Sequence, residues 1–217
     1  MRVASVNVGR PNLVMRAGRT YRTSINRRSI AERVWVGADG LAGDQVADLS
    51  VHGGPQRAVC LYPLENYGPL GQRIGRELAI PAFGENLTTE GLSEQSVAIG
   101  DVFRIGTVRF QVSSPRDPCA KLARKHAQSD LPMWIVESGR CGFYLRVMEE
   151  GEVGVGDAIE LLDRPHPAAT VARVQRVRYA REASEAEFDE LLAIDALSPS
   201  YRAVLERRRS GSPGAGE

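Results

Sequence analysis

The sequence predicts an α+β fold, mainly β, with a strand-rich body followed by a small α-helical appendage. Three observations carry that expectation. From Met1 to about Leu162, short apolar runs alternate with near period 2 between Gly, Pro and Asp turns, the pattern of half-buried strands. After Pro165 the period becomes helical, with Val171, Val174 and Val177 on one face. A length of 217 residues, 42% of them hydrophobic, suits one sizeable domain with a small addition. The expected division is a body over residues 1–162, a three-helix appendage over 163–209 and a disordered tail over 210–217, where Gly, Ser and Pro offer no apolar anchor.

Taken in order, the strands expected in the body include Val3 to Val8, Arg57 to Tyr62, Val102 to Ile105 and Val108 to Val112. Gly106-Thr107 between the last two is a two-residue loop with glycine first, which suits a type II′ hairpin. Gly100-Asp101 and Gly156-Asp157 each turn into a strand, two like entries that do not amount to a repeat. The segment AKLARKHA, 120 to 127, reads as a helix. Ser184 with Glu187 three residues on forms a capping box for a second helix. Ser198 followed by Pro199 sets an N-cap and a first-turn proline for a third. Arg173, Arg176 and Arg178 interleave the valines after Pro165. A solvated basic face is the expectation there, left free to steer an acidic electron donor while the apolar side docks.

Charge limits the partners. Lys and Arg number 28 against 27 for Asp and Glu, so no strong field drives the chain toward nucleic acid or an anionic membrane, and any anion site is local. No run of 18 apolar residues and no signal-like stretch occurs, so no membrane association is expected. Three cysteines at wide spacing, Cys60, Cys119 and Cys141, give neither a disulfide framework nor a paired zinc motif, and a cytoplasmic location is the expectation.

Cys119 stands in Ser114-Pro115-Arg116-Asp117-Pro118-Cys119-Ala120-Lys121-Leu122, where two prolines and two charges forbid a central strand and announce an ordered turn. At the entrance to a helix with Arg116 and Lys121 nearby, its thiolate is favoured, and a thiolate ligates a soft metal or attacks an electrophile. Cys60 lies in the apolar strand pattern Ala58 to Tyr62 and Cys141 at a strand entry; both read as structural, protonated thiols. Val51-His52-Gly53-Gly54-Pro55 follows Asp44 and Asp48 with glycines that let the backbone approach a ligand, or else is a turn whose histidine bonds its own backbone. In Phe83-Gly84-Glu85-Asn86-Leu87 the glycine permits an unusual backbone angle, and Glu85 and Asn86 offer acceptor and donor groups.

Together these segments resemble one family, the MOSC domain, named for the carboxy-terminal domain of molybdenum cofactor sulfurase, and within it the YiiM-type subgroup. The resemblance rests on GLAGDQ at 40 to 45 with Asp48-Leu49, VHGGPQRAV at 51 to 59, FGENLTTEGL at 83 to 92, IGDVFRIG at 99 to 106 and PRDPCAKL at 115 to 122. SGRCGFYLRV at 138 to 147 and GEVGVGD at 151 to 157 extend it. It covers about residues 1 to 162, and the helices after it look like the three-helix appendage of that bacterial subgroup. The resemblance implies a β-barrel-like body whose pocket takes the molybdenum cofactor, molybdopterin, with Cys119 as the sulfur ligand to molybdenum. Catalytic roles are expected at Cys119, His52 and Asn86. Cofactor contacts are expected from Arg22, Arg27, Arg57, Glu85, Asn86, Arg116 and Cys119, the arginines meeting the pterin phosphate.

Two departures stand out. Where the subgroup usually has a lysine after a Thr-x-Ile turn, this chain reads Thr23-Ser24-Ile25-Asn26-Arg27-Arg28, so a point charge becomes a guanidinium fork. After Tyr62-Pro63, Gly68-Pro69 and Gly71 are expected to break or shorten a helix of the subgroup. The activity implied is a molybdenum-dependent reduction of N-hydroxylated small molecules, N-hydroxylated purine bases among them, with electrons from a separate protein and a detoxifying role. The alternative is sulfur transfer or cofactor carriage through a Cys119 persulfide, without redox turnover.

Overall fold

The computed structural model of the protein describes residues 1–16, 18–48 and 53–211. The chain opens with β1 (Arg2–Val8), the hairpin β2 (Asn12–Arg16) and β3 (Arg19–Thr23), and the short strands β4 (Arg28–Ile30), β5 (Val34–Gly37) and β6 (Gly40–Leu41). Then come β7 (Val59–Pro63), α1 (Tyr67–Ile74), β8 (Leu87–Glu90), β9 (Val102–Ile105) and β10 (Val108–Pro115). Helices α2 (Ala120–His126) and α3 (Leu131–Ser138) precede β11 (Phe143–Glu149), β12 (Gly151–Val153) and β13 (Ile159–Asp163). The appendage is α4 (Val171–Tyr179), α5 (Glu185–Leu192) and α6 (Pro199–Arg209).

Eight strands form one mixed sheet in the order β13-β9-β10-β11-β7-β8-β1-β4, with β5, β6 and β12 in a smaller sheet. Among the described residues, only the β7–β8 pair in the large sheet is parallel, Leu61 lying opposite Leu87. The apolar period-2 residues point inward as their spacing requires: Val6, Val59, Leu61, Leu87, Ile105, Phe110 and Leu145 are all fully buried. The β9–β10 loop has the expected two residues, Ile105 facing Val108, and Gly106 takes φ +60° as a primed turn demands. Elsewhere the strand expected from Arg57 begins at Val59, because Pro55–Arg57 forms a 3₁₀ turn.

The barrel implied by the resemblance is not closed among the described residues. β8 occupies one edge of β1, and β4 takes the other along Val6 to Val8, leaving the stretch before Val6 without β4 as a partner. There the chain before β13 comes alongside, with Gly156 N–H donating to Val3 O at 2.9 Å and Ile159 N–H to Met1 O at 3.1 Å. That contact curls the sheet but supplies too short a ladder to join its ends, and closure requires a continuous staggered one. The helix thought vulnerable to Gly68, Pro69 and Gly71 survives as the eight residues of α1. Pro69 falls in the first turn, where its missing N–H costs no helical bond, and Gly71 is needed because a Cβ there would sit 2.9 Å from the Arg76 carbonyl oxygen.

The appendage caps are those the sequence announces. Ser184 and Glu187 form the reciprocal box on α5, and the Ser198 hydroxyl accepts from Tyr201 N–H at the start of α6. Docking is by the valine face: Val171, Val174 and Val177 are fully buried, each contributing roughly 1.5–3 kcal/mol of transfer free energy. Backbone bonds Val171 N–H to Val97 O and Ser198 N–H to Ser113 O fix the helices to the body at 2.8 and 2.9 Å. The free basic face is not found. Arg173 pairs with Glu190, Arg176 with Glu187 and Arg178 with Asp117 of the body, so the arginines close contacts between elements. No helix among the described residues is long and apolar enough to cross a membrane.

Candidate functional site

A cavity of about 590 Å³ opens where the β7, β8 and β10 ends meet the loops after β3 and β6, a volume that fits a single medium-sized ligand. Cys119, Arg22, Arg27, Arg57, Asn86 and Arg116 all line it, so residues spread over almost a hundred positions converge on one wall. His52 lies outside the described residues. Glu85 is not on the cavity wall: its carboxylate accepts from Thr88 Oγ1 at 2.9 Å and Phe83 N–H at 3.0 Å and from the Tyr67 hydroxyl, which uses it as a buried strut of the turn. The expected cofactor contact at Glu85 is thereby corrected; with its polar atoms facing inward the residue shapes the loop.

The segment from Pro115 to Cys119 leaves the sheet by two anchored steps. Arg116 N–H donates to Gly142 O at 3.1 Å, and its Nη2 reaches across to Phe83 O at 2.6 Å. The side chain is buried, only 6% exposed, and among the described residues Nη1 has no oxygen or nitrogen acceptor, the Cys60 thiol being its polar neighbour. Burial opposes its charge, but Cys60, Tyr144 and Cys119 around it favour the cation, and the guanidinium stays above its ordinary value. A buried donor without an oxygen or nitrogen acceptor is costly, and here the neighbouring Cys60 sulfur is the group that Arg116 meets. Cys119 is the N-cap of α2 with no side-chain cap bond, partly exposed, so its sulfur is not engaged by the helix it starts.

Also lining the cavity, Arg27 and Asp44 form a two-pronged pair, Nε to Oδ1 at 2.9 Å and Nη2 to Oδ2 at 2.7 Å, while Nη1 holds the Gly84 carbonyl. Each nitrogen of the fork carries one of these bonds, three of its five N–H donors, so Arg27 both braces the cavity wall and keeps N–H groups in reserve as a lining residue. Asn86 is equally engaged: Nδ2 donates to Asp44 Oδ2 at 2.9 Å and Oδ1 accepts from Cys60 N–H at 3.1 Å. Arg57 lies at the rim over the Tyr144 ring, 5.7 Å from its centroid, with Nη2 donating to Ser200 Oγ of α6 at 2.9 Å. Arg22 is exposed at the mouth.

Three contributors escape a sequence reading. Cys60 is buried as expected, and burial pushes its thiol up against the opposing pull of Arg116 and Arg27, but it also forms part of the cavity wall. Asp117, two residues before Cys119, is tied to the appendage through Arg178 and Tyr179, the Tyr179 hydroxyl donating at 3.3 Å. Lys125 of α2 lies beneath the site with its ammonium donating to Ile25 O and Pro81 O at 3.3 and 3.1 Å. The period-2 pattern of β7 placed Cys60 on the same face as Ala58, which was the available signal; nothing local marks the other two.

Burial lowers the Lys125 ammonium to about 8, with Glu85 opposing and Arg116 and Arg27 adding to the shift. Between that value and the ordinary one of a free lysine, the unfolded chain holds the proton and the folded chain does not, so this group favours the fold increasingly as pH rises across that window. Lys125→Met should therefore raise stability relative to the parent most below pH 8. The gap between the two should shrink by on the order of 1–3 kcal/mol by about pH 10.5. Urea titrations of both proteins at pH 7, 8.5 and 10 read it directly, and a pH-independent gap would mean that Lys125 stays charged.

Comparison with known proteins decides the lineage. Residues 48–160 match the MOSC domain and residues 170–211 the YiiM-like, 3-alpha helix domain. The chain belongs to the MOSC family. The Bacillus subtilis (strain 168) protein YflK, itself uncharacterized, is 39% identical over 207 residues, covering 95% of this chain and 94% of that one. The crystal structure of YiiM from Geobacillus stearothermophilus superposes with a TM-score of 0.81 at 35% identity, covering 95% of this chain and 98% of that chain. A protein of Gibberella moniliformis (strain M3125 / FGSC 7600) named Reductase is 38% identical over 155 residues, 70% of this chain but 28% of its own length. MOSC domains are associated with the molybdenum cofactor, and in this MOSC chain Cys119 and Arg116 fall within the matched domain.

Proposed function

We propose that this MOSC protein is a molybdenum-cofactor-dependent oxidoreductase reducing N-hydroxylated small molecules such as N-hydroxylated purine bases, fed by a separate electron-donor protein. The observation that carries the cofactor reading is the convergence around one cavity of a partly exposed Cys119, whose side chain does not cap its helix, with the buried guanidinium of Arg116. Among the described residues no cluster of three or more His, Cys, Asp or Glu is placed to hold a metal ion. A single thiolate suits a metal that brings its remaining ligands with it, as a pterin-borne molybdenum does. The reductase-named relative supports a reductive activity, and the N-hydroxylated substrate class rests on the subgroup resemblance.

In this reading Cys119 Sγ would hold the metal and the Arg116 guanidinium would supply positive charge for the pterin phosphate, a charge-assisted interaction. Arg57 adds a second cation at the rim. The cofactor, when bound, supplies the two-electron redox centre. Asn86 and Asp44, locked to each other and to Arg27, keep the adjoining wall rigid, which orients a small substrate without spending binding energy on ordering side chains.

Molybdenum and pterin content of protein freshly purified from a cofactor-competent host, followed by turnover of an N-hydroxylated base with an artificial reductant, tests the proposal. Stoichiometric metal with turnover is expected. Sulfane sulfur on Cys119 without pterin would replace it by the sulfur-transfer alternative. A finer expectation separates the arginines: Arg116→Met should reduce cofactor retention on dialysis by at least about tenfold. Arg27→Met, which strands buried Asp44, should chiefly lower stability, by about 3 kcal/mol. Equal retention in both variants, measured as residual molybdenum, contradicts the assignment of Arg116.

A further inference from the structure

The geometry points to Arg178 of the appendage as a positioning residue for Cys119, acting through Asp117, so that the three-helix unit forms one support of the cofactor loop. The inference draws on the proposed function only for what Cys119 holds. Asp117 lines the cavity two residues before the cysteine, and its carboxylate is held by the Arg178 guanidinium and the Tyr179 hydroxyl, both at the end of α4. Arg178 is itself held: it lies over the rings of Tyr179 and Tyr201, 5.0 and 5.3 Å from their centroids, and Tyr201 is a buried residue of α6. An arginine that packs against two aromatic rings and bonds a carboxylate through Nη1 has few rotamers left to lose, so the pair transmits the position of the docked helices to the loop.

The rest of the loop fits this role. Its upstream end is fixed by Arg116 N–H to Gly142 O and by Arg116 Nη2 to Phe83 O, and its downstream end by the start of α2. Between those anchors, among the described residues, Asp117 supplies the hydrogen-bonded and ionic side-chain tether, and both partners lie in α4. The other interhelical pairs of the appendage differ. Arg173 with Glu190 and Arg176 with Glu187 join exposed groups of α4 and α5, away from the cavity, and provide an internal control.

Native-state alkylation of the full chain by iodoacetamide at one fixed pH, resolved cysteine by cysteine by mass spectrometry, tests the assignment and needs no cofactor. Cys60 and Cys141 are buried, so they report any general loosening. Arg178→Met keeps the length that packs against the tyrosines, and Asp117→Asn removes the charge at the loop end. Removing a nearby cation should slow a thiolate reaction and removing a nearby anion should speed it, so electrostatics alone predicts opposite effects for the two variants. Loss of a positional tether predicts the same one. Both variants should accelerate Cys119 labelling about fivefold, the double variant should add little, and Arg178→Lys should recover part of the parental rate. Arg173→Met should stay within about twofold of the parent.

Opposite directions, additive effects, an equal response in Arg173→Met, or acceleration of Cys60 together with Cys119 would overturn the assignment. If Arg178→Met does not fold, Asp117→Asn and Arg178→Lys still decide it by the same criteria. A chain that carries no molybdenum yet shows the coupled labelling would keep this inference and remove the proposed function. A loaded chain without the coupling would do the reverse.

Discussion

Cys119→Ala is expected to abolish molybdenum retention, by at least about tenfold, while moving the melting temperature by no more than about 2 °C. The asymmetry follows from where the sulfur sits. It is partly exposed on the cavity wall, caps no helix through its side chain and packs only at the margin of the core, so removal costs little burial. A single soft ligand, by contrast, has no ready substitute: the other thiol on the cavity, Cys60, is buried and its pKa pushed up, and Asp44 and Asn86 are bonded to each other. Cys60→Ala makes the comparison: this thiol is 5% exposed, so its loss should cost about 1–2 kcal/mol and leave metal content near the parental level. Inductively coupled plasma analysis and thermal melts of the two variants side by side are sufficient. Full metal content in Cys119→Ala would remove the cysteine from the ligand set, whatever its stability.

The second large effect is structural and concerns Gly84→Ala. Gly84 has φ +72°, and a Cβ there would meet Ile25 Cγ1 at 2.6 Å and the Ile25 carbonyl oxygen at 2.9 Å. Left-handed strain and the forced displacement of buried backbone each cost of order 1–3 kcal/mol, so a loss of about 3 kcal/mol is expected. For a chain of this size that corresponds to a fall of roughly 6–12 °C in Tm. The consequence reaches the site, because the Gly84 carbonyl accepts from Arg27 and the Ile25 carbonyl from Lys125. Moving either loosens the wall that Asp44 and Asn86 complete. Cofactor retention and Tm should fall together in this variant, unlike Cys119→Ala, where they separate. A melting temperature within about 2 °C of the parent would show that the Ile25 segment yields freely.

The appendage takes on a different meaning once its contacts are known. A basic helix face reads in sequence as a surface for another molecule, since arginines at such spacing are usually solvated. Here the partners are Glu187 and Glu190 of the next helix and Asp117 of the body, and the valines between them are buried against β10 and its neighbours. Together with Ser200 on Arg57, these contacts make the helices neighbours of the cavity rim.

The sequence by itself determined the local structure: strand periodicity in the body, the two-residue turn at Gly106-Thr107, the Ser184 and Ser198 caps, and the helix that starts after Cys119. These follow from φ preference, side-chain period and capping, which act over a few residues. The ordered motifs also named the family and drew attention to Arg116 and Cys119, which do share a cavity. Tertiary structure alone decided which polar groups remain open. Glu85 and Asn86 are adjacent in one loop, yet the first is turned inward onto Tyr67 and Thr88 and the second faces the cavity, an outcome set by a Tyr residue 18 positions away. Arg27 is paired with Asp44, and Asp117 with Arg178, 61 positions distant. The sheet likewise stays open because β4 takes the β1 edge from Val6 to Val8 and leaves the chain before β13 only a short contact at Met1 to Val3. In each case the deciding term is a pairing between residues far apart in the chain, and such pairings carry no local signature: a guanidinium reads the same in sequence whether its acceptor is a carboxylate of the same fold or a phosphate it has yet to meet.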